Sequence, residues 1–477
     1  MSRKTKKQNS SQSSYVSNLA DQRDDSQAQV ANALRQIFKR EYYNSIALHG
    51  NCKWKPSELL ILAVTTTWLS AGNLSEAFKK ASRFSSKQFG FLATQTFQGM
   101  MRAFARHKDQ LLSCFWQAVQ IIATQQIPEY FRIGGFVALA IDGTGFGTSR
   151  TRSNEKAFVP KRYGKGKKAR SKRSCKNKKG RKKQLVKPKP QVWTTMLWHV
   201  GFKLPWFWKL GPSNSSERSH CEEMIKEQNF PEKTLFIGDA GFTGYPLWTT
   251  IIGAGHNFLV RVGANIHLLR ELGTVKRNGN IVWFWPKDAF EKKLPPLELR
   301  LIRLKDKRGT IQLLTNVLSE RTLSQKLALK LYTLRWGIEV QYRTVKQTFD
   351  KGTLLCRNSD HTLSELHMCL MTITILQLSA GLEQTKINID PERTSVAMVI
   401  RVFQDSVLAG QQMGEPSFVE RLKLCVKDDY KRASSKKARY IPTSSSKPSK
   451  KRPPVIKLAS KEKKAAYAKL ELAALAA

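Results

Sequence analysis

The order of apolar runs between residues 136 and 263 constrains this chain most. Three short runs come first: "FVALAID", ending at Asp142, then "VWTTMLWHV" and "LPWFWKL" on either side of a turn at Gly201. A polar stretch of helical character, "NSSERSHCEEMIKEQ", follows, with Asn214 three residues before Glu217 in the spacing of a capping box. "TLFIGD" is a fourth apolar run and ends at Asp239. Beyond it, "YPLWTTIIGAG" reads as a helix stopped at Gly255, and "HNFLVRV" as a further strand. Three strands, helix, strand, helix, strand predicts a mixed α/β sheet.

This core is flanked by other patterns. Residues 1–128 form a helical N-terminal region, with breaks expected at Gly72-Asn73 and Ser85-Ser86. The helix, turn and helix around Gly72 reads either as a DNA-reading module or as a plain packing unit. The first part of the core covers 129–263. Residues 264–318 have β-type patterning: "GNIVWFWP" follows an Asn-Gly turn signal and "LELRLIRL" alternates. A helix is expected in 319–352, starting at Thr322 with Gln325 as capping partner and stopping near Gly352. Residues 353–430 read as helical. The tail, 431–477, reads as basic and mostly disordered, with a weak Ala-rich helix at its end.

Charge restricts the partners. The chain has 82 Lys plus Arg against 36 Asp plus Glu, a net +46, which favours a polyanion such as DNA. No basic amphipathic helix, lipidation signal or uncharged apolar stretch near 18 residues is evident, so no membrane partner is expected. Residues 161–190 hold 16 Lys or Arg and no acid, Lys167, Lys168 and Arg173 among them. Such a block contacts phosphates without reading bases; a solvated loop or a localisation-type basic run is the other reading. The seven cysteines are scattered without a C-x-x-C pair, which argues against a disulfide framework or zinc ribbon and predicts a reducing, cytoplasmic location.

Asp142 and Asp239 each end an apolar run and precede small residues, a place where α/β sheets carry function, although Asp-Gly after a strand is also a common turn. A third acid, Glu339, lies in "LYTLRWGIEVQYRTVKQTFD". At about 100° per residue, Tyr332, Arg335, Glu339 and Lys346 fall on one stripe beside the apolar face of Leu331, Leu334, Ile338, Val345 and Phe349. Were the three acids to converge, they would raise one another's pKa unless cations lay between them. Oxygen ligands suit hard ions, so two Mg²⁺ or Mn²⁺ ions about 4 Å apart, acting on a phosphodiester, are implied.

"IDGT", "GDAGF" with its downstream "FLVRV", "LLTN" and above all "LYTLRWGIE" with Lys346 resemble the DDE transposases of bacterial cut-and-paste insertion sequences. That family is marked by Tyr, two residues, Arg, three residues, Glu, six residues, Lys, a spacing matched by Tyr332, Arg335, Glu339 and Lys346. The resemblance implies an α/β fold: a ribonuclease-H-like mixed-sheet core with a β-rich insertion, flanked by N-terminal and C-terminal helical regions. It implies Asp142, Asp239 and Glu339 as catalytic metal ligands. Tyr332, Arg335 and Lys346 would hold the phosphates and displaced base at the element's end, and a homodimer would gather paired ends in a synaptic complex of a bacterial, nucleoid-associated protein. The implied activity is metal-dependent strand cleavage at element ends and strand transfer into target DNA. A nuclease of the same fold and a non-catalytic domesticated DNA-binding protein are the alternatives.

In relatives with this insertion an aromatic stacks on a flipped base, which makes Trp283 and Trp285 candidates; packing of the small sheet is the alternative for both. His199 and His220 read as structural. The Lys-rich block stands where a short hairpin is expected. Gly337 costs its helix about 1 kcal/mol relative to Ala, with no reason visible in the sequence.

Overall fold

The computed structural model describes residues 26–46, 54–69, 73–91, 96–159, 189–273, 280–306, 309–408, 416–428 and 452–476. Lys167, Lys168 and Arg173 of the Lys-rich block, the turn at Gly72, the Asn278-Gly279 signal and residues 429–451 lie outside them.

The N-terminal region is helical, with α1 (26–37), α2 (Pro56–Trp68), α3 (Leu74–Phe89) and α4 (Phe97–Gln126). Asn73 begins α3 by accepting hydrogen bonds from the Ser75 and Glu76 amides, as an N-cap does. The break expected at Ser85-Ser86 is absent. Ser85 is buried within α3, and the helix runs on to Gly90, whose φ of 71° is the left-handed turn that glycine tolerates.

The core follows as β1 (Val137–Thr148), α5 (Arg152–Phe158), β2 (Gln191–His199), β3 (Leu204–Pro212), α6 (Glu217–Glu227), β4 (Thr234–Gly238), α7 (Tyr245–Gly253) and β5 (Asn257–Arg261). Strands β1, β4 and β5 are mutually parallel, and β2 and β3 return antiparallel. This is the mixed sheet predicted from the apolar runs. Helix α6 differs in its start: Ser216, not Asn214, caps it by accepting from the Ser219 amide. Glu217, expected to close a capping box, is instead the first residue of the helix.

Residues 264–318 supply β6 (His267–Arg270), β7 (Ile281–Phe284), α8 (Lys287–Glu291), β8 (Leu297–Asp306) and β9 (Gly309–Thr315). They extend the core sheet. Strand β9 pairs antiparallel with β5, Leu259 opposite Thr315, and β8 follows on β9.

The helix predicted through 319–352 is in pieces: α9 (Gln325–Leu334), α10 (Gly337–Arg343) and a π-helical turn over Thr344–Thr348. Its cap is Ser324, which accepts from the Leu327 amide, rather than Thr322. A two-residue β10 (Thr353–Leu354) then pairs with the far end of β1. Next come α11 (Ser359–Thr385), α12 (Val396–Leu408) and α13 (Phe418–Lys423). By length and composition α11 could cross a membrane, but 94% of its most apolar window is buried inside this fold. It is the central core helix, packed on α2 and α4.

The chain ends with β11 (Val455–Leu458) and α14 (Lys461–Ala476). Strand β11 was not expected from sequence; it pairs in parallel with β6 at the outer edge of the sheet. The full strand order is β11-β6-β7-β8-β9-β5-β4-β1-β2-β3, with β10 beside β1.

Candidate active site

The expectation that a strand ends at Asp142 is corrected. Strand β1 runs through Asp142 to Thr148, because its ladder with β2 continues from Leu139 opposite His199 to Gly147 opposite Gln191. The Asp-Gly pair makes no turn where both of its residues have strand partners. On the other flank β4 pairs with β1 only as far as Ala140 opposite Ile237. That register brings Asp142 level with Asp239, on strands that lie about 4.8 Å apart while paired. Asp239 starts a short 3₁₀ turn, its carboxylate accepting from the Gly241 amide at 2.7 Å. The two acids therefore flank the point where β1 and β4 part.

Glu339 comes from α10, which packs against β1. Two contacts tie this helix to the strand: the Tyr342 hydroxyl donates to the Asp142 carbonyl at 2.9 Å, and Lys346 Nζ donates to Thr144 Oγ1 at 2.6 Å. Lys346 also lies 5.0 Å from the centre of the Phe146 ring. Gly337 now has its reason. A Cβ there would overlap the Trp198 indole of β2, so the glycine lets the helix lie directly on the sheet.

The four residues of the predicted stripe divide by exposure. Arg335 and Tyr332 are buried, 4% and 5% exposed, and Lys346 is half-buried. Arg335 pairs with Glu339, Nη2 to Oε1 at 3.2 Å, and lies over the Tyr332 ring. These two residues present little surface to a phosphate. The next residue, Trp336, is 55% exposed with Arg335 against its ring. Trp283 and Trp285 are each only 3% exposed. The Trp285 indole donates to the Leu294 carbonyl and packs on Phe290, so both tryptophans serve packing of the sheet. His199 is buried among Phe131, Phe202 and Trp206, and burial pushes it down to about 3; His220 hydrogen-bonds Thr195. Both are structural, as read.

Electrostatics link the acids. Burial raises Asp142 to about 6; the Gly143 amide and Arg335 oppose this, and the charges of Glu339 and Asp239 add to it. A fourth acid, read in the sequence only as a capping partner, is Glu217, raised to about 7 by burial and then by Asp142 and Asp239. Burial lowers Lys346, with Asp142 acting against the shift. Among the described residues no three acidic, histidine or cysteine side chains close to ligating geometry. The donor set nonetheless suits a hard divalent cation: carboxylate oxygens whose shared negative charge is costly without one.

A family model for the transposase DDE domain matches residues 134–375, which include every acid of this cluster. The chain belongs to the transposase DDE domain family. The family generally uses a divalent metal ion. Among curated relatives, transposase InsG for insertion sequence element IS4 of Escherichia coli (strain K12) is 27% identical over 164 residues. That alignment covers 32% of this chain and 36% of the relative, so the chain spans about a third of the length of InsG. Among solved structures, a cryo-EM structure of the piggyBac transposase synaptic complex with hairpin DNA aligns over 85% of this chain and 84% of that one. Its TM-score is 0.36, with 12% identity. The mixed sheet expected from the sequence, with Asp142 and Asp239 at the β1/β4 parting, lies within this matched domain.

Proposed function

We propose that this protein is a transposase that cuts DNA at the ends of its element and joins the freed 3′-hydroxyl to target DNA. The observation that carries the reading is the β1/β4 register that sets Asp142 level with Asp239, with the Glu339 helix tied to β1 through Tyr342 and Lys346, all within the matched domain. On this reading the three acids hold two Mg²⁺ or Mn²⁺ ions. Bound there, the ions would activate the attacking hydroxyl and stabilise the leaving oxygen of the phosphodiester.

The chain's own residues set the frame. Arg335, expected from the resemblance to grip phosphate, is better supported as a positioning residue: its guanidinium holds Glu339 from beneath. Tyr332 supports Arg335, and Tyr342 ties the Asp142 backbone to the same helix. Lys346 keeps its place as a phosphate contact beside β1. Trp336 offers the exposed stacking face that Trp283 and Trp285 lack; stacking on a base is worth about 1–3 kcal/mol. Helix α3 supplies a second DNA surface, with Lys79, Lys80, Arg83 and Lys87 exposed opposite the buried Ala77, Phe78, Ala81 and Phe84. Assembly as a homodimer around paired ends belongs to the same proposal, as does a bacterial, cytoplasmic, nucleoid-associated location. The five described cysteines are free thiols, as suits that compartment.

The test is incubation of the purified protein with DNA carrying its flanking ends and Mg²⁺. Wild type should nick and join; Asp239→Ala should lose at least about a thousand-fold in cleavage while retaining DNA. Cleavage by Asp239→Ala at the wild-type rate would overturn the assignment. Nicking without joined product would favour the nuclease reading.

A further inference from the structure

The far end of β1 carries a corner that the acids do not use. Helix α5 has only seven residues, too few to hold a helix in place by its own hydrogen bonds. A buried polar clamp holds it instead. Asn154, wholly buried, donates through Nδ2 to the Ser149 carbonyl at 2.9 Å and to the Cys356 carbonyl at 3.1 Å, and accepts from Thr362 Oγ1 at 3.1 Å. Thr151 Oγ1 donates to the Arg357 carbonyl at 2.6 Å, and Ser153 Oγ accepts from the Ser359 amide at 3.0 Å. The pairing of β10 with β1 at Gly147 and Thr148 closes the same corner. A satisfied buried network of this kind fixes one arrangement of β1, α5 and the start of α11.

What the clamp fixes is a group of cations. Arg152 and Lys156 stand exposed on α5, and Arg357 stands exposed on the segment that α5 grips. Arg102 of α4, also exposed, joins them, its charge acting on His361 in the first turn of α11. The nearby acids are largely taken. Glu155 pairs with Arg150 at 2.6 Å, and the buried Glu365 accepts from the Leu355 and Cys356 amides. On α5 and the first turn of α11 this leaves Asp360 as the carboxylate facing four cations, a surface that suits a polyanion.

Strand β1 sets the direction from the acids to this corner. Lys346 is bound to Thr144, two residues beyond Asp142, and the strand ends at Thr148, six residues beyond. At about 3.3 Å per residue the corner begins about 20 Å from Asp142. About six base pairs of B-form duplex span the same length.

We propose that this corner is a further phosphate-binding surface for the duplex whose scissile phosphate lies at the acids, with Arg102, Arg152, Lys156 and Arg357 on its backbone about six base pairs from the cut. The proposal rests on the transposase reading. It makes Lys346 the middle of a line of phosphate contacts along β1, and it positions DNA without reading bases.

The test is binding of DNA carrying the flanking ends to the full chain without divalent cations, measured against salt, with ethylation interference to map the phosphates that matter. One variant combines Arg152→Gln, Lys156→Gln and Arg357→Gln. The control combines Lys226→Gln, Lys233→Gln and Lys386→Gln, three exposed cations beside the start of β4 and the end of α11, so that both variants lose the same net charge. The corner variant should lower the slope of log affinity against log salt by about 2–3, at about 0.9 per lost phosphate contact, and should erase interference about six base pairs from the cut. The control should keep that interference and a slope near that of wild type, and interference at the cut itself should persist in both. Melting temperatures near that of wild type identify folded variants. Equal slopes in the two folded variants, with interference six base pairs away unchanged, would overturn this surface and leave end binding intact. Wild type with no interference around the cut would overturn the end-binding reading, and this surface with it.

Discussion

At the scale of single residues, two glycines decide how close the site's elements come. Gly337 appears in the sequence only as a helix weakness, and propensity alone says that Ala there should stabilise by about 1 kcal/mol. The packing says the reverse, because the new methyl group would overlap the Trp198 indole, and overpacking of this kind costs about 1–3 kcal/mol. Gly337→Ala should therefore lower stability in urea unfolding and, two residues from Glu339, reduce DNA cleavage more than DNA retention. Stabilisation with full cleavage would mean that α10 does not lie on Trp198. The three acids proposed for the site were legible as candidates, since each stands in a short motif whose neighbours are small or apolar. The contact of Glu217 with Gly143 was not, because it forms only when α6 folds onto β1, and in the sequence Glu217 serves equally well as a capping partner. Nor was the burial of Tyr332 and Arg335: a helical wheel gives their common direction, not what lies in that direction.

At the scale of elements, the succession of strands and helices in the core followed from the apolar runs because each strand is rich in buried apolar residues. The helix bearing Glu339 was legible as a helix but not as a broken one. Arg335 and Trp336 keep right-handed helical angles, and only the hydrogen bonds change, from the Trp336 and Ile338 amides to the carbonyls three residues back. The C-terminal strand β11 was illegible for a different reason. Four residues in a Pro- and Lys-rich setting gain strand character only from the β6 edge on which they lie. After it, Lys463 of α14 donates to the Trp285 carbonyl at 3.1 Å and covers the Phe290 ring, so the tail shields this end of the sheet. An unprotected edge strand is a template for association. Removal of residues 452–477 should convert a monodisperse protein into concentration-dependent oligomers in light scattering. Unchanged monodispersity would show that β6 needs no cover.

At the scale of the whole molecule, a net charge of +46 favours a polyanionic partner, on the proposed reading the acid cluster supplies the chemistry, and the two are kept apart. Basic residues lie exposed on α3, whereas the acids gather where β1 and β4 separate, with α6 and α10 closing on them. A polyanion drawn to such a surface meets a local negative site, which cations must neutralise before a phosphodiester can approach. The central claim is that Asp142, Asp239 and Glu339, brought together by long-range folding, hold those cations. Anomalous diffraction from crystals of the full chain soaked in Mn²⁺ tests it most directly. The account predicts Mn²⁺ peaks within about 2.3 Å of carboxylate oxygens of Asp142, Asp239 and Glu339, with Asp142 shared between them. Mn²⁺ bound elsewhere, with any of these three acids turned away from it, would contradict the account.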